Sequence, residues 1–250
     1  MSGHSRWSQI KRKKGKTDVQ RGRLFSKILR EVTIAARHGG GDPKVNMRLK
    51  SAMETARAAN MPAENLKRAI QKGTGELPGE SYEEITYEGY APGGVAVLIA
   101  VVTDNRNRTG PEIRHVFEKH GGHVGTAGSV GWMFERKGLI QVDAARATED
   151  DVLATALDSG AADMRRVEKT YEIVTAPAEM ETVRAALEGK GIPVLESAVM
   201  YVPQSTIRVE GKEAPAVLRL IEALEEHDDV QAVYSNYDIP DEIIEAISAA

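Results

Sequence analysis

The chain contains no cysteine in its 250 residues, which excludes disulfides, thiolate metal sites and thiol nucleophiles and suits a reducing compartment. No apolar run approaches the roughly 18–20 residues that a membrane-spanning helix requires, and the N-terminus lacks the apolar core of a signal peptide. The start is rich in Arg and contains Ser, as in an organellar transit peptide, but Lys11–Lys16 is not amphipathic, so the cytoplasm is the expected location. Catalytic signatures are missing as well: G-x-S-x-G, H-E-x-x-H and G-x-G-x-x-G do not occur. Gly15-Lys16-Thr17 imitates the end of a phosphate loop, yet the first glycine of that motif would fall on Ile10 and no strand precedes it. His115, His120 and His123 flank a helix end, but residues 115 and 120 lie about 140° apart on a helical wheel. They are expected to be ordinary surface histidines. Neither enzyme activity, nor a metal or cofactor, nor a small-molecule substrate is expected.

What the chain has in quantity is charge sorted by position. Met1–Arg30 hold ten Lys or Arg (Arg6, Lys11, Arg12, Lys13, Lys14, Lys16, Arg21, Arg23, Lys27 and Arg30) against one acid, Asp18. Residues 1–80 carry 18 basic and 7 acidic residues, a net +11, whereas the remainder carries 15 and 30, a net −15. The overall −4 therefore hides an electrostatic dipole. Charge so lopsided repels itself unless a polyanion neutralises it; a charged surface kept for solubility is the plainer alternative. Glu225, Glu226, Asp228 and Asp229 gather around a helix end and are expected to be solvated surface acids. The acidic half would be repelled by a phosphate backbone and is expected to face solvent or a basic protein partner.

Hydrophobic spacing divides the chain into three parts. From Val19, the residues Leu24, Ile28, Val32 and Ala35 mark a helix that Gly39–Gly41 stop, with Arg23, Lys27, Arg30 and Arg37 on its other side and Ile34 as the exception. Asp42 before Pro43 predicts an N-cap for a second helix, and a third follows Pro62 and ends at Gly73. Residues 73–81, GTGELPGES, read as a linker. Strands are expected over 83–90 and 95–103, then a helix opened by a Thr109/Glu112 capping box, then a strand over 129–135. Residues 137–203 spell βαββαβ, the ferredoxin-like order, its first helix expected to be capped by Thr148. A helix around Val217–Leu224 and a strand over 230–235 supply what the elements at 83–135 lack. The expected fold is thus α+β and multidomain. A basic tail and three-helix domain (1–78) precede two ferredoxin-like α/β domains, one (137–203) inserted in the other (79–136 and 204–240). Two successive α/β domains with ragged edges would give a similar pattern.

Lys and Arg give sequence-independent phosphate affinity by counterion release. Trp7, among the cations, could stack on a base or simply tack the tail onto the helices. A second polar cluster, TDNRNRTG at 103–110, sits between a strand and a helix N-terminus, where exposed amides attract phosphate and Arg106 and Arg108 add charge. No recognition-helix arrangement is evident, because a glycine run and not a tight turn separates the first two helices.

The stretches GHSRWSQIKRKKGKTD (3–18), RGRLFSKILREVTIAAR (21–37), GGDPKVNMRLKSAMETARAANMP (40–62), YEGYAPGG (87–94), TDNRNRT (103–109) and GSVGWMF (128–134) resemble the YebC family, which includes mitochondrial translational activators of cytochrome oxidase. Ala91 departs from the family's more usual glycine, while Gly93 and Gly94 remain. The resemblance implies a helical domain and two α/β domains around an open cleft, and a cytoplasmic, probable DNA-binding transcriptional regulator. The resemblance also implies a tie to translation, through ribosome or RNA contact, for family members. Carried onto this chain, the phosphate contacts it implies are Arg6, Lys11, Arg12, Lys13, Lys14, Lys16, Arg21, Arg23, Lys27 and Arg30, with Asn105, Arg106 and Arg108 as a second group. The expected partner is DNA, or alternatively ribosomal RNA and the ribosome.

Overall fold

The structure, a computed structural model, describes residues 18–167, 169–240 and 243–244. Helix α1 (Asp18–Gly39) buries Ile28, Val32, Ala35 and Ala36 at its expected i, i+4, i+7 spacing against α2 (Met47–Ala58) and α3 (Ala63–Thr74). Leu49, Ala52 and Ala56 of α2 and Leu66 and Ala69 of α3 complete that core. Ile34, the exception in the amphipathic pattern, is also buried, at 1% exposure. Its side of α1 is no free solvent face, since α1 also packs against β9, described below.

The second helix is capped four residues later than expected. Asp42 Oδ1 accepts the Lys44 N–H at 2.9 Å and shapes a turn, and Asn46 caps α2 by accepting the Leu49 N–H at 3.0 Å. The Asn46 amide also donates to the carbonyls of Ala35 and Gly40 at 2.7 and 2.8 Å, which ties α2 to the end of α1. One buried Asn therefore satisfies three backbone groups that a helix end leaves over, and it outcompetes the Asp-Pro signal. Gly73 lies within α3 and does not end it. A Cβ there would overlap the Thr33 carbonyl oxygen and crowd Ala36 Cβ to 2.7 Å, so glycine is what lets α1 and α3 approach. The left-handed residue closing α3 is Gly75, with φ 84°.

Strands β1 (Glu83–Tyr90) and β2 (Ala96–Thr103) follow the linker as expected and pair antiparallel, Glu83 opposite Thr103. The Pro92–Gly94 turn between them puts Gly93 and Gly94 at φ 75°, and Ala91 is buried just before it. Helix α4 (Arg106–Lys119) is capped by Asn105, not Thr109; Thr109 is fully buried inside it. The strand after α4 is the short β3 (His123–Val124), not residues 129–135. There a helical turn at Gly131–Met133 leads straight into β4 (Phe134–Asp143) of a different sheet.

The remaining elements are α5 (Glu149–Asp158), β5 (Ala161–Val167), β6 (Thr170–Thr175), α6 (Met180–Gly189), β7 (Val194–Pro203), β8 (Ile207–Arg208), α7 (Glu213–Glu225), β9 (Val230–Ser235) and β10 (Tyr237–Asp238). Two four-stranded antiparallel sheets result, ordered β3-β1-β2-β9 and β5-β6-β4-β7. The second has the full ferredoxin-like connectivity, with α5 capped by Thr148 as the sequence predicts. The first has the same strand order, but the strand that normally comes third arrives first, as β1, and the last αβ is supplied after the insertion. That split is the nested arrangement the sequence predicts.

By density of internal contacts the described residues divide into two units, one comprising Trp132–Arg208 with the strand β10 that follows Asn236, the other comprising 18–131 with Val209–Ser235. The first holds a core of Ile140, Val142, Val152, Tyr171, Ile173, Val183 and Leu187. The second holds the three helices together with the split sheet. In it β2 is buried along nearly its whole length, as its unbroken apolar run requires.

Candidate nucleic-acid interface

Arg23, Lys27 and Arg30 recur every three to four residues and so share one flank of α1. The structure sets that flank on the turn between α7 and β9, within the second unit. Lys27 Nζ donates to the Glu225 carbonyl oxygen at 2.6 Å, and the Arg30 guanidinium donates to the Asp228 carbonyl oxygen. Arg30 also lies 3.2 Å from the Asp229 carboxylate, and Arg23 3.8 Å from that of Asp228. Further along the same flank, Arg37 reaches the linker, donating to the Glu80 carbonyl at 3.1 Å and to the Ser81 hydroxyl at 3.2 Å. On α2, Arg48 bridges Glu31 of α1 at 2.7 Å and Glu84 of β1, and these two carboxylates keep it protonated against the cost of its partial burial.

Asp229 is the centre of this contact and no surface acid, being 1% exposed. One carboxylate oxygen faces Arg30; the other accepts from the Thr109 hydroxyl at 2.6 Å, the Thr103 hydroxyl at 3.1 Å and Arg108 Nη2 at 2.6 Å. Burial alone would raise its pKa. The hydroxyl of Thr109 and the guanidinium groups of Arg108 and Arg30 outweigh that and hold the carboxyl below its ordinary value. Lys27 shows the opposite balance: burial dominates the attraction of Glu225 and Asp228, and its pKa falls to about 8. Of the acids read as solvated, Glu226 and Asp228 are exposed and Asp229 is the exception.

The 103–110 cluster is used in the same place. Asn105 Oδ1 accepts the Arg108 N–H at 3.1 Å as the N-cap of α4, and Arg108 pairs with Asp104 at 3.1 Å and with Asp229. The first turn of α4 is thus met by the chain's own acceptors, whereas Arg106 is exposed and has no such partner among the described residues. Among the described residues, Glu112, His227 and Asp229 bring ligand atoms within 4.8 Å of one another, a different set from the histidines weighed in the sequence. With two guanidinium groups already on Asp229, repulsion disfavours a metal cation there.

The combination of a three-helix N-terminal region, a ferredoxin-like sheet and a split sheet of the same strand order has known counterparts. Residues 5–76 match the family model described as the TACO1/YebC protein N-terminal domain, and residues 82–237 match that of the TACO1/YebC second and third domain. The chain belongs to the TACO1/YebC family. Among its TACO1/YebC relatives, a protein of Pelotomaculum thermopropionicum is 56% identical over 96% of this chain and all of its own length. One of Syntrophus aciditrophicus is 54% identical over the full length of both. Each is named "probable transcriptional regulatory protein". The crystal structure of a conserved hypothetical protein from Aquifex aeolicus is 50% identical and superposes with a TM-score of 0.85, covering 96% of this chain and 99% of that one.

Of the candidate contacts in this TACO1/YebC chain, Arg6, Trp7, Lys11, Arg12, Lys13, Lys14 and Lys16 lie outside the described residues. Arg21 is exposed near the start of α1. Arg23, Lys27, Arg30 and Arg108 are drawn together around the α7–β9 turn, Asn105 caps α4 beside them, and Arg106 stands out. The residues that organise this contact, Asp229, Thr103 and Thr109, were absent from the sequence-based set. Ile34 was the one signal for it: an apolar residue on a basic flank marks a second packing surface.

Proposed function

We propose that the chain is a non-enzymatic regulator of gene expression that binds duplex DNA through its phosphate backbone and acts in transcription from the cytoplasm. The observation that carries this is the ratio of ten Lys or Arg to one acid over the first thirty residues, a density that a phosphate backbone neutralises. The names of the full-length relatives support the regulatory role.

Arg23 and Arg30 already pair with the chain's own carboxylates, and Lys27 is held by the Glu225 carbonyl oxygen. The phosphate contacts in this reading therefore come chiefly from Arg6, Lys11, Arg12, Lys13, Lys14, Lys16 and Arg21, with Arg106 as an outlying one, while Asn105 and Arg108 shape the loop that presents it. Seven residues, 40–46, separate α1 from α2, too many for the tight turn of a helix-turn-helix reader. Sequence preference then rests on the shape of the nucleic acid or on a partner.

The test is a competition in one tube, at about 150 mM salt where weak nonspecific binding fades, between duplex DNA and purified ribosomes. The wild type is compared with a variant carrying Glu at 11, 13, 14 and 16. Retention on a subset of duplex sequences, lost in the variant, is the expected result. Partition onto ribosomes that survives DNase replaces the transcriptional reading with a translational one.

A further inference from the structure

Helix α2 carries a second, different surface. On a helical wheel its buried residues Leu49, Ala52 and Ala56 fall between about 140° and 200°, and Arg48, committed to Glu31 and Glu84, falls near 100°. Met53, Arg57, Lys50, Glu54 and Met47 fill the arc from about 240° to 360°. With the turn at Pro43 and Lys44 they line a concavity of about 400 Å³. Met53 packs on the helical core, while Met47, also lining the groove, is 44% exposed.

We propose that this groove docks an acidic amphipathic helix of a partner protein, placing an apolar side chain against Met47 and Met53 while its carboxylates meet Lys44, Lys50 and Arg57. Charge complementarity selects the partner: three cations border the groove against one acid, Glu54. The floor selects the side chain. Methionines are flexible and polarisable and form surfaces for aliphatic anchors at i, i+3, i+4, i+7 spacing. Nucleic acid fits less well, because the groove has no aromatic ring on which a base would stack. This surface belongs to α2 and is separate from the cations of residues 6–21.

The test uses the full-length chain and a fluorescein-labelled synthetic peptide of about 16 residues, Leu at i, i+3, i+4, i+7 and Glu between, read by fluorescence anisotropy. Two variants are compared: Lys44→Glu, Lys50→Glu and Arg57→Glu together, and Met47→Gln. All four positions are exposed or half-buried, and far-UV circular dichroism melts check that the fold is kept. The expected result is saturable binding weakened roughly tenfold or more by charge reversal. Met47→Gln, and a peptide with Ser for Leu, weaken it too, and the variant with Glu at 11, 13, 14 and 16 binds the peptide like the wild type.

The proposal is overturned if the peptide does not bind, or if binding survives both groove variants. Loss of binding in the residue 11–16 variant also overturns it, since the tail alone would then be the cause. So does a single-stranded oligonucleotide that binds instead and depends on Lys44, Lys50 and Arg57 but not on Met47. Concentration-dependent self-association abolished by the charge reversal would assign the groove to a second copy of the chain and likewise overturn it.

Discussion

Arg30 and Asp229, 199 residues apart in the chain, lie 3.2 Å from one another, and Asp229 is one of the few buried acids among the described residues. Their pairing joins the helical region to the split sheet, because the same carboxylate also holds the end of β2 through Thr103 and the first turns of α4 through Thr109 and Arg108. A buried charge with four donors is expensive to disturb. Removing one partner leaves the others uncompensated in a poorly solvated place.

Asp229→Asn is therefore expected to destabilise the second unit by about 3 kcal/mol, read by urea unfolding. Because the folded carboxyl titrates below its unfolded value, its stabilisation is present above the unfolded pKa and drains away as pH falls through the folded one. The wild-type protein should lose stability toward low pH more steeply than the Asn variant. Equal slopes would mean that Asp229 is not the linked group.

Lys27 should act in the same direction at alkaline pH, but for a different reason, since burial disfavours its charged form. Its folded pKa of about 8 lies below the ordinary 10.5, so the native state binds fewer protons there than the unfolded chain. Stability is expected to rise as pH increases between these values, and Lys27→Met should flatten that rise. Selective labelling of Lys27 by an amine-acylating reagent near pH 8 is a second readout.

Gly73→Ala should cost about 1–3 kcal/mol by overpacking, since the added methyl meets the Thr33 carbonyl and Ala36 across the α1–α3 contact. Gly22→Ala, where nothing lies within 4 Å, is the matched control and should be neutral or slightly stabilising on an exposed helix position. Thermal melts of the two variants decide it.

Much of this was legible in the sequence where one local rule acted alone. The 3.6-residue spacing of Leu24, Ile28, Val32 and Ala35, the continuous apolar run of β2 and the Thr148 cap all appear where they were expected. The βαββαβ order of the inserted domain and the split of its host also follow from the succession of patterns. Where two local signals competed, tertiary context chose. Asn46 displaced Asp42 as a cap because it could also satisfy Ala35 and Gly40, and Asn105 displaced Thr109 because the Thr109 hydroxyl was needed by Asp229. Of the α1 contact with the α7–β9 turn only Ile34, an apolar residue on the basic flank, was a sign; the partner turn was not legible. The partners are about 200 residues apart, and a basic flank facing an acidic turn looks, in one dimension, like two solvated surfaces.

The role of the N-terminal cations is tested most directly by the salt dependence of duplex DNA binding. For B-DNA, log K falls with log salt by about 0.9 for each phosphate neutralised. Changing Lys11, Lys13, Lys14 and Lys16 to Gln should lower that slope by about 3–4, while Arg30→Gln should reduce stability and leave the slope unchanged. A slope that is unaltered by the four lysines, or that drops with Arg30→Gln alone, would contradict the account.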